Sequence, residues 1–266
     1  MMTEKTTDLE FILARMKSAE RQAAELILHA HGILAEAKTG ARDVVTEYDR
    51  RVQELLIRML SESVPDARFF CEEMNERDRL DAASLFIIDP IDGTMNFVHG
   101  FHHSCISVAY AERGTVLAGA VYNPYVDEMF TAIKGRGAFL NGRPIHVSGA
   151  GLADSVVCFG SAPYNPELSE RTFALARMAY NASLDVRREG SAALDLCTVA
   201  AARAGLYFEL IVSLWDYAAG ALIAEEAGAL CSRVSGAPLP VDGSKTDIVA
   251  GSPAAVSDFL RLTEAF

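Results

Sequence analysis

Positive charge is in short supply in this chain. Its 24 Lys and Arg face 36 Asp and Glu, for a net charge of −12. Nothing resembles a basic stripe, so no nucleic-acid partner is expected. The cysteines, Cys71, Cys105, Cys158, Cys197 and Cys231, are scattered, odd in number and free of any Cys-x-x-Cys pair. That excludes a disulfide framework or a zinc ribbon and leaves small buried apolar residues. No apolar run reaches membrane-spanning length, and the N-terminus has no hydrophobic signal core, so a cytoplasmic protein with no membrane partner is expected. There is no Pro-, Gly- or Ser-rich linker, no long repeat and no low-complexity tract. The glycines of Gly135-x-Gly-x-x-x-x-Gly142 are not a dinucleotide fingerprint: they lead into an Asn-Gly turn rather than a helix. There is no Asp-x-Asp at a strand end, and no nucleophilic-cysteine phosphatase loop is recognised.

What is present is a large reserve of core. Half of the 266 residues are hydrophobic (50%), enough for one compact unit of two fused halves, 1–150 and 151–266. Leu9, Ile12, Leu13, Met16, Ala19, Ala23, Leu26, Ile27, Ile33 and Leu34 recur at helical spacing. They predict one amphipathic helix over 9–37, ending near Gly40. A second helix is predicted over 49–62, then strands over 68–71 and 85–89. Strand-like runs at 105–110, 116–122, 128–133 and 143–147, with turn residues between them, predict an antiparallel meander. Beyond 150, strands at 155–159, 184–187, 206–210 and 248–250 alternate with helices at 166–180, 191–204, 216–227 and 253–263. That alternation predicts an α/β half with a parallel or mixed sheet.

The most informative stretch is Leu85-Phe-Ile-Ile-Asp-Pro-Ile-Asp-Gly-Thr-Met-Asn-Phe97. A buried strand runs into Asp89 and Asp92, with no basic residue between them. Pro90 cannot donate to a sheet ladder, so pairing is expected to stop there. The like-charge pair is costly unless a divalent cation with oxygen ligands relieves it. Gly93 permits close approach of the backbone, and a helix starting there would aim N–H groups at an anion. Cation and anion sites side by side point to metal-assisted chemistry on a phosphate. Other acidic residues have ordinary readings. Asp49 and Asp216, each before an apolar helix, read as N-caps, as does Ser191. Glu72 and Glu73 in a charged loop read as solvated surface, and Lys38 as a helix C-terminal cation. Glu209, ending an apolar strand, is harder to dismiss.

The run Asp89-Pro-Ile-Asp-Gly-Thr94 resembles the signature of the inositol monophosphatase family, within the lithium-sensitive, magnesium-dependent phosphatases. Asp43-Val-Val-Thr-Glu-Tyr-Asp49, Cys71-Glu72-Glu73, Val121-Tyr-Asn-Pro124, Gly135–Gly142, Gly190-Ser-Ala-Ala193 and Trp215-Asp-Tyr-Ala-Ala-Gly220 resemble its other motifs, in the family's order over roughly 38–250. The resemblance implies an α/β fold of the layered αβαβα sandwich type shared with fructose bisphosphatase, with the site between the halves. It implies two or three Mg2+ ions on Glu72, Asp89, the Ile91 carbonyl, Asp92 and Asp216. Glu72 would also hold the attacking water, and Asp49 with Thr94 would help deprotonate it. Asp92, Gly93 and Thr94 would bind phosphate, and Gly190, Ser191, Ala192, Glu209 and Asp216 the rest of the substrate. Lys38 matches a family lysine near the metals, and Glu73 a supporting role.

The chain departs from the family pattern at Cys71, commonly glycine, at Met95, commonly threonine, and around His103, commonly proline. His99, His102 and His103 fit no zinc spacing. The implied activity is hydrolysis of inositol 1-phosphate or a similar small polyol phosphate by direct attack of water, in a homodimer. Histidinol phosphate, fructose 1,6-bisphosphate and 3′-phosphoadenosine nucleotides are the alternative substrates, and a non-catalytic regulatory binding protein is the alternative class.

Overall fold

The computed structural model describes residues 8–40, 43–74 and 80–263. Helix α1 spans Leu9–Leu28, its first turn closed by Asp8, which accepts from the Phe11 N–H at 3.0 Å. Strands β1 (Ala35–Gly40) and β2 (Asp43–Thr46) pair antiparallel, and β2 feeds α2 (Glu47–Ser63). A seven-stranded sheet follows: β3 (Arg68–Cys71), β4 (Leu85–Asp92), β5 (Cys105–Glu112), β6 (Thr115–Asn123), β7 (Glu128–Ile133), β8 (Ala138–Leu140) and β9 (Arg143–Ile145), adjacent in that order. The short α3 (Thr94–Val98) lies between β4 and β5.

The second half builds a mixed five-stranded sheet from β10 (Val156–Phe159), β11 (Asp185–Arg187), β12 (Leu206–Val212), β13 (Leu230–Ser232) and β14 (Thr246–Gly251). Their order in space is β11-β10-β12-β14-β13. Helices α4 (Ser169–Ala182), α5 (Ala192–Ala200), α6 (Leu214–Glu226) and α7 (Pro253–Thr263) alternate with these strands.

Side-chain alternation along the strands makes the layers. On β4, Phe86 and Ile88 face α1 and α2, whereas Leu85 and Ile87 face α5 and α6. On β12, Tyr207 faces α5 and α6, whereas Phe208 packs on Phe259 of α7. The result is helices, sheet, helices, sheet, helices: the αβαβα sandwich. The middle helix layer packs tightly. A Cβ on Gly119 of β6 would lie 2.9 Å from the Ala219 carbonyl of α6, so glycine sets that spacing.

Three expectations are corrected. The helix predicted over 9–37 ends at Leu28, and Ala35–Gly40 forms β1 instead. Gly32 takes a left-handed φ of 61°, which breaks the helical path, and pairing with β2 overrides the helix preference of Ala35-Glu-Ala-Lys38. Strands β8 and β13, of three residues each, were not anticipated. Pro90 interrupts the ladder without ending it: pairing with β5 lapses after Asp89↔Ser107 and resumes at Asp92↔Cys105. The intervening bulge turns two carboxylates toward the same space.

Candidate active site

Topology brings the first carboxylates together. β3 and β4 are parallel neighbours, with Cys71 opposite Ile88, and the Glu72 N–H donates to the Ile88 carbonyl at 3.1 Å. Glu72 and Asp89 therefore leave adjacent strand ends side by side. Asp92 lies at the far side of the bulge, and Asp216 in the first turn of α6 comes from the second half of the chain.

The charges oppose one another. Asp89 is 2% exposed; burial, then Glu72, Asp92 and Asp216, push its pKa well above the ordinary carboxylate range. Burial first, then Asp92 and Glu72, does the same to Asp216. Burial lifts Asp92 to about 6 even though hydrogen bonds favour its charged form. Lys38 sets a positive charge against this cluster, bridging Glu72 at 2.8 Å and Glu73 in a closer contact. Burial works to lower its pKa, but the two glutamates overcome that and raise it.

Each aspartate is anchored through one oxygen. Asp89 Oδ1 accepts from the Ile91 N–H at 3.1 Å. Asp92 Oδ2 accepts from the Ser191 hydroxyl at 2.6 Å and the Ala193 N–H at 2.7 Å. Asp216 Oδ2 accepts from the Ser213 N–H at 2.6 Å. Among the described residues no three His, Cys, Asp or Glu side chains already form one ligand shell. Glu72 leans on Lys38, Asp92 on Ser191, and Asp216 on its own helix end. The groups present still fit a hard divalent cation. Donors are all oxygen, they come from four neighbouring carboxylates, and their mutual repulsion is what such a cation would relieve.

Beside the cluster, Asp49 is fully buried at the start of α2. Its Oδ2 accepts from the Thr46 N–H at 2.8 Å and from the Thr46 hydroxyl at 2.5 Å. Thr94 Oγ1 stands 3.2 Å from Asp49 Oδ1 and 3.1 Å from the Ile91 carbonyl, so its single proton serves one at a time. Burial raises the Asp49 pKa to about 6. Asp49 and Asp216 are not N-caps, as their positions had suggested. The caps are Thr46 and Ser213, and each aspartate closes a capping box from the third helical position. Ser191 is the cap of α5, as expected, and the same hydroxyl holds Asp92.

The remaining candidates lie in the second half, apart from Gly93, which meets it at Gly190. Gly93 has a left-handed φ of 89°, and a Cβ there would meet the His103 carbonyl at 3.0 Å and the Gly190 carbonyl at 3.2 Å. Gly190, also left-handed, and Ala192 flank Ser191 where α5 starts. Glu209 Oε1 accepts from the Ala162 N–H at 3.1 Å and Oε2 from the Tyr207 hydroxyl at 2.8 Å, while burial lifts its pKa to about 7.

Sequence reasoning missed Asn96. Its amide donates to the His103 carbonyl at 2.7 Å and the Glu189 carbonyl at 2.8 Å, tying α3 to the segment before α5. Its place inside the signature was the available signal. Cys105 was read only as core; its sulfur lies 3.9 Å from Asp92 Oδ2. His102 stacks on Tyr125 with centroids 4.9 Å apart. One further correction concerns cysteine chemistry. Cys71 to Arg77 and Cys197 to Arg203 do keep the Cys-x5-Arg spacing of a cysteine phosphatase loop, but both cysteines are fully buried, Cys71 in β3 before Glu72 and Glu73, which repel phosphate, and Cys197 within α5. Arg77 lies outside the described residues.

Residues 8–264 match the inositol monophosphatase family. The chain belongs to this family. Among its relatives is an inositol-1-monophosphatase of Mesorhizobium japonicum, 37% identical over 215 residues, covering 80% of each chain. A putative Nus factor SuhB of Neisseria meningitidis serogroup B is 34% identical over 253 residues, covering 93% of this chain and 95% of that one. The crystal structure of extragenic suppressor protein SuhB from Bartonella henselae superposes with a TM-score of 0.88 at 33% identity, covering 94% of this chain and 97% of that one. The family fold thus spans both sheets and every element that carries a candidate residue.

Proposed function

We propose that this protein is a magnesium-dependent phosphomonoesterase acting on inositol 1-phosphate or a similar small polyol phosphate. The observation that carries the reading is the meeting of Glu72, Asp89, Asp92 and Asp216, each of the three aspartates raised in pKa, with the Thr94–Asp49 pair beside them. The halves 1–150 and 151–266 work as one compact unit in this reading, because Asp216 comes from the second.

Glu72, Asp89, Asp92, Asp216 and the Ile91 carbonyl would hold two or three Mg2+ ions, which when bound shield the phosphate charge and acidify water. Glu72 places a water for in-line attack on phosphorus. Thr94 Oγ1 accepts that water's proton as it passes its own to Asp49 Oδ1. Burial suits Asp49 to this task by bringing its pKa close to neutrality. The water oxygen bonds to phosphorus and the ester P–O bond breaks; the leaving alkoxide oxygen takes a proton from a second water, Asp49 returns its own to solvent, and the alcohol and hydrogen phosphate leave. The N–H groups of Gly93 and Thr94 orient the phosphate. Glu209 and the Gly190–Ala192 segment face the alcohol.

Inorganic phosphate release from a panel of phosphomonoesters, with magnesium and with excess EDTA, tests the reading. Turnover of inositol 1-phosphate that vanishes in EDTA supports it; full activity in metal-free protein refutes it. Histidinol phosphate, fructose 1,6-bisphosphate and 3′-phosphoadenosine nucleotides belong in the same panel. The name Nus factor carried by several relatives favours a second reading, a regulatory binding protein, which predicts no turnover in any arm. A cytoplasmic homodimer completes the first reading, and light scattering of the purified chain checks the dimer.

A further inference from the structure

The segment after β10 is pinned at its base. The Gly160 N–H donates to the Phe208 carbonyl at 3.0 Å, holding the chain against β12. The space where Gly160 would carry a Cβ is filled by the Glu209 carboxylate, 1.8 Å from Oε2. Ser161 Oγ accepts from Arg188 Nε at 3.1 Å. Ala162 takes a left-handed φ of 41°, aims its N–H at Glu209 Oε1, and accepts from the Asn165 N–H at 2.9 Å. These bonds close a turn with Pro163 and Tyr164 at its tip.

Tyr164 is 54% exposed, so it projects from the turn rather than packing beneath it. Among the described residues its hydroxyl has no hydrogen-bond partner. Partial burial first, then the negative charges of Glu72, Asp216, Asp43 and Asp92, raise the pKa of that hydroxyl. The turn that carries the ring is fastened to Glu209, the group expected to receive the substrate's hydroxyls.

We propose that Tyr164 is a specificity-determining residue whose ring forms a wall for the flat C–H face of a cyclic polyol or sugar phosphate. The proposal rests on the phosphomonoesterase reading and names the substrate class within it. A six-membered polyol presents hydroxyls at its rim and C–H bonds on its faces. Glu209 takes the rim and Tyr164 covers a face, while an open-chain alcohol has no such face to offer. Contacts with the alcohol are the ones that differ among phosphate esters, so they set the choice between them.

The test compares kcat/KM, with magnesium present, for inositol 1-phosphate and for glycerol 2-phosphate in wild type, Tyr164→Ala and Tyr164→Phe. Loss of one aromatic contact predicts that Tyr164→Ala falls about 10-fold on inositol 1-phosphate, mostly through KM, and less than about twofold on glycerol 2-phosphate. Tyr164→Phe keeps the ring and should stay within about threefold on both. Free inositol, as an inhibitor of glycerol 2-phosphate hydrolysis, should weaken by the same factor in Tyr164→Ala. Equal losses on both substrates, or unchanged inositol 1-phosphate kinetics, would overturn the proposal. A wild type inactive on both would refute the phosphatase reading, and the wall would fall with it.

Discussion

Replacing Asp92 by asparagine should stabilise the metal-free protein while abolishing turnover. Asp92 is 8% exposed and its pKa stands at about 6, against 3.8 for an ordinary aspartate. Because the folded-state value is raised, stability is fully present below the unfolded pKa and is lost as pH rises through the folded one. At pH 8 the carboxylate is ionised in both states. The shift then corresponds to about 3 kcal/mol at most. Asparagine keeps the shape and can still accept from Ser191 and Ala193, but only as a neutral acceptor, which returns part of that gain. A net stabilisation of about 1–2 kcal/mol remains, or roughly 2–8 °C in Tm for a chain of this size. The assay is thermal unfolding in EDTA at pH 8 and again at pH 5. The mutant's advantage should be present at pH 8 and shrink at pH 5, where most wild-type Asp92 carries a proton. With magnesium the order should reverse, since wild type binds the ion more tightly. Phosphate release by the mutant should fall by at least about 30-fold, the equivalent of roughly 2 kcal/mol of transition-state stabilisation. A mutant less stable than wild type in EDTA at pH 8 would show that the bonds from Ser191 and Ala193 outweigh the repulsion. Near-normal turnover would show that Asp92 serves no ion.

Three further outcomes are expected. Glu20 in α1 is fully buried, both carboxylate oxygens lack a hydrogen-bond partner among the described residues, and burial raises its pKa. Glu20→Leu should therefore raise stability by about 1–3 kcal/mol at neutral pH in urea unfolding, an advantage that fades as pH falls toward the unfolded glutamate value; a less stable mutant would contradict this. Glu209→Ala should weaken inositol 1-phosphate far more than a generic aryl phosphate, and Gly160→Ala should copy it, because the new Cβ would displace the Glu209 carboxylate. Equal losses on the two substrates would make Glu209 structural. Lithium should inhibit in the millimolar range at saturating substrate, as a small hard cation competing within the cluster, and a flat lithium titration would count against that step.

The site was legible where chemistry and local pattern coincide. An apolar strand ending in Asp89 and Asp92 could be read directly as a candidate, because little but a ligand or a neighbouring charge explains acid at the end of a buried run; Glu72, in a charged loop, read as surface on its own residues and became a candidate only through the family resemblance. The meander and the strand–helix alternation followed from turn residues and period. The failures were of three kinds. Residues 35–40 look helical by composition, yet their partner strand is what decides, and that pairing is invisible in a single segment. The caps were misassigned although the signal was present: Thr46-x-x-Asp49 and Ser213-x-x-Asp216 are both capping-box patterns. Glu20 hides behind its residue type, since a glutamate on an amphipathic helix is ordinarily at the surface.

Those two boxes have a consequence for how members of this family diverge. Asp49 and Asp216 each close the entrance of a helix, so a lineage that abandoned hydrolysis for a binding role would still be selected to keep them. Glu72 lies outside any helix, and Thr94, although it is the first residue of α3, turns its hydroxyl to Asp49 and the Ile91 carbonyl rather than to its helix end, so neither carries such a second duty. Drift after loss of turnover would therefore show first at Glu72 and Thr94, and the state of those two positions separates working copies from retired ones better than the count of surviving aspartates.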